Sequence, residues 1–206
     1  MGIPVLILGE SGSGKSASLR NFEPAKVGIF NVAGKPLPFR AKLPVVNNAR
    51  YDDIYKSLGK AKLKTYIIDD SQYLMSFEEL DRAKEVGFTK FTEMALNFSN
   101  LVRYIINQLP ADVIVYFLHH VETTESGKVK AKTVGKMIDS KLTLEGLFSI
   151  VLLCEASSDG HHFVTQSDGY TTAKSPMEMF DNVIDNDLAF VDKTIREYWN
   201  LGGNEE

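Results

Sequence analysis

The chain has 206 residues, 44% hydrophobic and 24% charged, which suits the core of one domain and leaves two domains cramped. Its 27 acidic and 23 basic residues give a net charge of −4, which excludes a generally basic coat for nucleic acid, so any such contact has to be a local patch. The single cysteine, Cys154, excludes an internal disulfide and a cysteine-based zinc site, and its apolar surroundings predict a small core residue in a reducing compartment.

The first strand is expected at Ile3-Pro4-Val5-Leu6-Ile7-Leu8. It starts at once, leaving no room for a signal peptide, and no apolar run is long enough to span a membrane, so the expected location is cytoplasmic. The strand runs into Gly9-Glu10-Ser11-Gly12-Ser13-Gly14-Lys15-Ser16, a match to G-x-x-x-x-G-K-[ST], the P-loop, with a helix expected over residues 15–22. The spacing has a physical cause: Gly9, Gly12 and Gly14 keep side chains away from backbone N–H groups that hold a polyphosphate. Lys15 would reach the β- and γ-phosphates, and the Ser16 hydroxyl would ligate Mg²⁺ at a helix N-terminus whose dipole favours anions. The expected nucleotide-holding set is Gly9, Glu10, Ser11, Gly12, Ser13, Gly14, Lys15, Ser16 and Ala17.

A second strand is expected over residues 27–32, a loop over 33–38, and a helix over 51–61 with Ile54, Tyr55 and Leu58 on one side. The strand at 65–68 ends in Asp69-Asp70, helices follow over 73–85 and 90–108, and 113–118 is an uninterrupted apolar run suited to a strand buried on both faces. Strands alternating with helices predict an α/β fold with a mostly parallel sheet. Further along, 147–154 predicts another buried strand. Residues 162–166 and 170–172, around Asp168-Gly169, predict a hairpin that adds antiparallel strands at one edge. A last helix over 187–199 carries Leu188, Val191, Ile195 and Tyr198 at helical spacing, so one domain over 1–201 and a short tail over 202–206 are expected.

Ligands of open α/β sheets bind at strand C-termini, where several polar residues gather here. Asp69 is favoured for the metal and Asp70 for orienting or deprotonating the attacking water, with the reverse assignment open. His119 and His120 end the next strand, beside the expected γ-phosphate, where a polar group senses hydrolysis; the alternative is one buried and one exposed histidine. His161-His162 has no partner set suggesting a metal and is assigned no role. The stretch 121–141 is expected to be a long polar loop bearing Lys128, Lys130, Lys132, Lys136 and Lys141, spaced so as to track phosphates. Between Arg103 and Arg196 there is no arginine, so a second cation at the phosphates has to be a lysine, and Lys174 is the candidate.

With these pieces in order, the chain resembles the RecA-like recombinase core, and is similar in particular to the single-domain Sak-type recombination or annealing ATPases of bacteriophages. The resemblance rests on the P-loop, on Ile67-Ile68-Asp69-Asp70-Ser71, and on Phe117-Leu118-His119-His120 in the place of the family's polar switch, and it spans Gly9 to about Ala173. It implies a RecA-like P-loop NTPase fold and a Mg²⁺-dependent ATPase acting on single-stranded DNA in phage recombination or replication. It further implies a homo-oligomer, with a single-strand-binding protein or other replication protein as a possible partner. The lysine-bearing loop falls where such proteins keep a DNA-binding loop. RecA-like enzymes place a catalytic Glu after the second strand; here Asn31-Val32-Ala33-Gly34-Lys35 holds no carboxylate, and Asp70 enters as the candidate base. Catalytic expectations thus fall on Lys15, Asp70, His120 and Lys174. The rival readings are a small-molecule phosphotransferase and a non-enzymatic nucleotide switch or loader.

Overall fold

A computed structural model describes residues 1–40, 42–87, 89–134 and 143–202. Among these residues nine strands form one mixed sheet: β1 (Ile3–Gly9), β2 (Val27–Asn31), β3 (Val45–Asn47), β4 (Thr65–Asp69), β5 (Ile114–Thr123), β6 (Val129–Ala131), β7 (Ile150–Ser157), β8 (Gly160–Val164) and β9 (Val183–Asp185). Their order is β3-β2-β4-β5-β1-β7-β8-β9, with β6 paired to the far end of β5. From β3 to β7 every pairing along that order is parallel, whereas β8 and β9 are antiparallel. The mostly parallel α/β sheet and its antiparallel edge match the expectation from sequence.

Helices cover both faces. On one lie α1 (Tyr51–Leu58), α2 (Gln72–Asp81) and α3 (Thr89–Gln108), packed on Leu6, Leu8, Ile68, Val115, Phe117 and Val151. On the other lie α4 (Leu188–Tyr198) and a short 3-10 turn, packed on Val5, Ile7, Ile67, Tyr116, Leu118 and Leu152. Alternation along each strand sends successive side chains to opposite faces, which is why the central strands are apolar without a break. Helix α3 buries Met94, Phe98, Leu101, Val102 and Ile105, spaced so that they share one stripe. Phe117 meets Phe98 and Phe148 at centroid distances of 5.7 and 5.4 Å, in tilted and edge-on arrangements favoured by aromatic quadrupoles. No helix among the described residues is long and apolar enough to cross a membrane.

Several boundaries depart from the sequence pattern. The helix expected after the P-loop motif forms as a six-residue 3-10 turn, Ser16–Asn21, too short to supply the helix dipole expected from sequence. Strand β3, three residues long, has no periodicity to announce it. The expected loop from residue 121 is instead a hairpin: β5 continues through His120 and Val121 to Thr123, turns at 124–128, and pairs with β6. Val121 faces Ala131, and Glu122 faces Lys130 with a 2.9 Å ion pair, so this polar stretch has cross-strand partners that composition alone does not reveal.

The edge hairpin is also built differently. Strand β8 pairs with β7 and β9, so its hydrogen-bonding sides are taken, and Asp168-Gly169 turns a loop instead of joining two strands. There Tyr170 N–H donates to the Asp168 side chain, and the Tyr170 carbonyl accepts from Val129 N–H. Of the expected tail only Gly202 belongs to the described residues.

Helix α4 starts where the Asp187 carboxylate accepts from the N–H groups of Ala189 and Phe190 at 3.0 and 3.2 Å. Its second oxygen accepts from Asn21 Nδ2 at 2.7 Å, joining this cap to the 3-10 turn behind the P-loop. Asp187→Ala is expected to cost about 1 kcal/mol, read as a lower urea midpoint with an unchanged slope. Arg196 binds Asp192, the carbonyls of Lys64 and Asp112, and Thr65 Oγ1, fastening α4 beside the N-terminal ends of β4 and β5. That is the end of the sheet away from the P-loop.

Candidate functional site

Parallel register brings the C-terminal ends of β1, β2, β4 and β5 together: Gly9 stands beside His120, and Asn31 beside Asp69. A cavity of about 320 Å³ opens there, lined by Ser11, Gly12, Gly14, Lys15, Ser16 and Ala17 of the P-loop, by Asn31 and Lys35, by Asp69 and Asp70, and by His120 and His161.

Lys15 is buried, and its ammonium donates to the carbonyls of Gly9 and Glu10, both at 2.7 Å. Burial pulls its pKa below the ordinary lysine value, with Cys154, Asp70 and Asp69 acting in the opposite direction. Ser13 Oγ is buried with no hydrogen-bond partner among the described residues, while the Ser13 carbonyl accepts from the Cys154 thiol at 3.0 Å. Cys154 is thus a core residue, as expected, and also a support behind the loop; burial pushes its thiol up to about 11.

The two aspartates differ in their surroundings. Asp69 is buried, and its Oδ1 accepts from the Ser16 hydroxyl at 2.9 Å, even though β5 lies between β4 and β1. Burial, reinforced by the Asp70 charge, raises its pKa to about 6, against the pull of Ser16 and Lys15. Asp70 has a left-handed backbone, φ 60°, and takes a hydrogen bond from Lys35 Nζ at 3.0 Å and one from His120 Nε2 at 3.2 Å. Burial alone would raise Asp70, but His120 and Lys35 outweigh it and hold the carboxyl below its usual range. A carboxylate so held is a poor proton acceptor and suits orienting a water better than deprotonating one.

The histidines also divide their work. His119 is fully buried between Ser71 Oγ at 2.9 Å and the Lys132 carbonyl at 2.8 Å. A carbonyl only accepts, so the neutral ring carries its proton on Nε2 and takes the Ser71 O–H at Nδ1. Burial holds its pKa down to about 4. His120, part-exposed, faces the cavity with its edge to the Tyr73 ring at 5.6 Å. Its carbonyl accepts from Lys132 N–H at 2.9 Å, so both histidines are joined to the strand that leads out of the lysine hairpin.

Chain comparison with protein-family models and with curated proteins finds no match.

Of the other expected site residues, Lys128 and Lys132 are exposed on the β5–β6 hairpin and Lys130 pairs with Glu122. Lys136 and Lys141 lie outside the described residues. Lys174 is not among the residues lining the cavity: its backbone bridges Val151, opposite the middle of β1, in the lane that β8 vacates. Besides Pro36 and Pro38, three polar residues line the cavity without being expected there from the sequence: His161, Asn31 and Lys35. His161 reaches over the P-loop so closely that a Cβ on Gly14, whose φ is 102°, would meet its ring at 2.6 Å. Asn31 ends β2, where a polar residue closing an apolar strand was the available signal, and Lys35 lies in the loop that follows.

Proposed function

We propose that this chain is a RecA-like, Mg²⁺-dependent ATPase that acts on single-stranded DNA. The observation that carries the reading is the 2.9 Å contact between Ser16 and Asp69, which joins the P-loop hydroxyl to a strand-end carboxylate across an intervening strand. The donor set fits the ligands. Ser16 and Asp69 are hard oxygen donors, and Mg²⁺ takes one or two protein oxygens and completes its shell with phosphates and water. The buried Lys15 ammonium, bonded to the carbonyls of Gly9 and Glu10 and lining the cavity, would exchange these loop contacts for phosphate oxygens. When bound, Mg²⁺ would neutralise phosphate charge and polarise the terminal phosphoryl group. Asp70 and His120 would orient the water and sense the phosphate, and the His119 and His120 bonds to Lys132 would pass that state to the hairpin.

Turnover of ATP measured with and without single-stranded DNA, over a salt series, tests the reading; no turnover in either case sinks it. Replacing Lys128, Lys130 and Lys132 by alanine is expected to weaken DNA binding and flatten its salt dependence by up to about 0.7 per lost phosphate contact. Lys128 and Lys132 should account for most of the change, because Lys130 already faces Glu122. Unchanged binding would remove the hairpin as the DNA site. A part for Lys174 then needs a second copy of this chain, acting across a subunit boundary in a homo-oligomer.

One observation favours a phosphotransferase instead. A polar cavity of about 690 Å³, lined by Glu10, Gln72, Ser76, Glu79, His120 and Thr133 among others, adjoins the nucleotide cavity at Ser11 and His120 and has room for a small acceptor. On that reading phosphate leaves ATP for an added metabolite and DNA has no effect on the rate.

A further inference from the structure

The loop after β2 carries a second lysine of the site, and it is held there by design of the strand end. Asn31, buried at the last position of β2, donates from Nδ2 to the Lys35 carbonyl at 2.5 Å and to Asn47 Oδ1 at 3.1 Å, while its Oδ1 accepts from Gly34 N–H at 2.9 Å. Gly34 has φ 70°, and a Cβ there would meet Asn48 Oδ1 at 2.3 Å, so the turn admits no other residue without strain. The result is a short, fixed turn that presents Lys35 to the cavity it shares with Lys15, Ser16 and Asp69. Its ammonium lies 3.0 Å from Asp70 and 5.2 Å from the Tyr73 ring centroid, and the side chain remains 62% exposed.

Resting on the ATPase reading above, we propose that Lys35 is the second phosphate cation of this site, contacting the terminal phosphate of a nucleoside triphosphate from within the same chain. The charge balance supports this. A triphosphate brings more negative charge than Lys15 and one divalent cation neutralise, and Lys174 does not line the cavity. An exposed ammonium paired with one carboxylate reaches a neighbouring phosphate by side-chain rotation alone, at little cost in packing. Asp70 then serves as the resting partner of Lys35, and His120 keeps that carboxylate covered when the lysine turns away.

The test is a comparison of equilibrium affinities for ADP and for a non-hydrolysable ATP analogue, at one salt concentration, in the wild type, Lys35→Ala, Lys35→Arg and the double variant Lys35→Ala with Asp70→Asn. Lys35→Ala is expected to weaken the ATP analogue about tenfold to a hundredfold and leave ADP unchanged, with Lys35→Arg recovering part of the loss. The double variant should stay weak. If Asp70→Asn restores the analogue's affinity, Lys35 only screens Asp70 and the proposal is overturned; equal affinity changes for ADP and the analogue, or none, overturn it as well. A wild type that binds neither nucleotide removes the ATPase reading itself, together with this inference.

Discussion

Lys15→Ala is expected to leave a folded protein with ATP turnover reduced by at least about a hundredfold. The lysine contributes to the fold mainly through two hydrogen bonds to its own loop, so its loss leaves the carbonyls of Gly9 and Glu10 without that donor and costs a modest amount of stability. Its loss to the proposed phosphate site is larger. There the ammonium is buried, and a charge facing a developing negative charge away from water is worth far more than in solvent. Phosphate release, measured beside far-ultraviolet circular dichroism, separates the two effects. Undiminished turnover in a folded variant would end the P-loop reading, and loss of the native spectrum would shift the test to Lys15→Met, which keeps the side-chain stem.

The second large effect is expected at His119, where the fold spends a buried polar group on holding two segments together. His119→Ala leaves the Ser71 hydroxyl and the Lys132 carbonyl without this partner and opens a void beside Phe98, whose ring lies 5.7 Å from the imidazole. A loss of about 3 kcal/mol is expected in urea titrations at neutral pH. The pH dependence carries its own signature. In the unfolded chain a histidine takes up its proton near pH 6.5, while in the fold His119 resists until about 4. Between those values the unfolded chain binds more protons, so the stability present above pH 6.5 is lost as pH falls toward 4. Asp69 acts in the other sense. Its folded pKa of about 6 exceeds the ordinary 3.8, so its contribution is full below pH 3.8 and is lost as pH rises through 6. His119→Gln removes only the first effect. Compared with the wild type, its stability should fall less, or rise, between pH 6.5 and pH 4.5; parallel curves would show that His119 does not titrate with unfolding.

Much of the fold was legible because its signals are local. An apolar run ending in a glycine-rich phosphate pattern, a run ending in two aspartates and a run ending in two histidines each mark a strand that reaches the same edge of the sheet. Ser16, Asp69, Asp70 and His120 were therefore candidates before any contact was visible, and the structure brings them into one cavity. What escaped depends on partners distant in sequence. Composition marks 121–141 as a loop, but Val129 and Ala131 complete a ladder against the end of β5. Asp168-Gly169 announces a turn without saying whether its flanks pair. His161 looked idle because nothing near it in the chain suggests that it covers Gly14. Lys35 has no local signal either, since its partner Asp70 lies on another strand end and meets it only through the sheet.

The strand order has a consequence for how the chain is made. β1 is synthesised well before its two sheet neighbours, β5 and β7, so Ile3 waits for Ile114 and Val5 for Ile150. Pairing over such separations must first meet the entropy of closing a long loop, and parallel ladders of this kind form slowly. Until then Ile3-Pro4-Val5-Leu6-Ile7-Leu8 is an apolar, β-prone segment without a place to go, the condition under which nascent chains associate with one another or occupy chaperones. Pro4 lies within that run and denies one N–H to any intermolecular ladder, a brake on stray pairing that the native sheet tolerates. The strand that leads into the glycine-rich loop is therefore made long before either of the strands that enclose it.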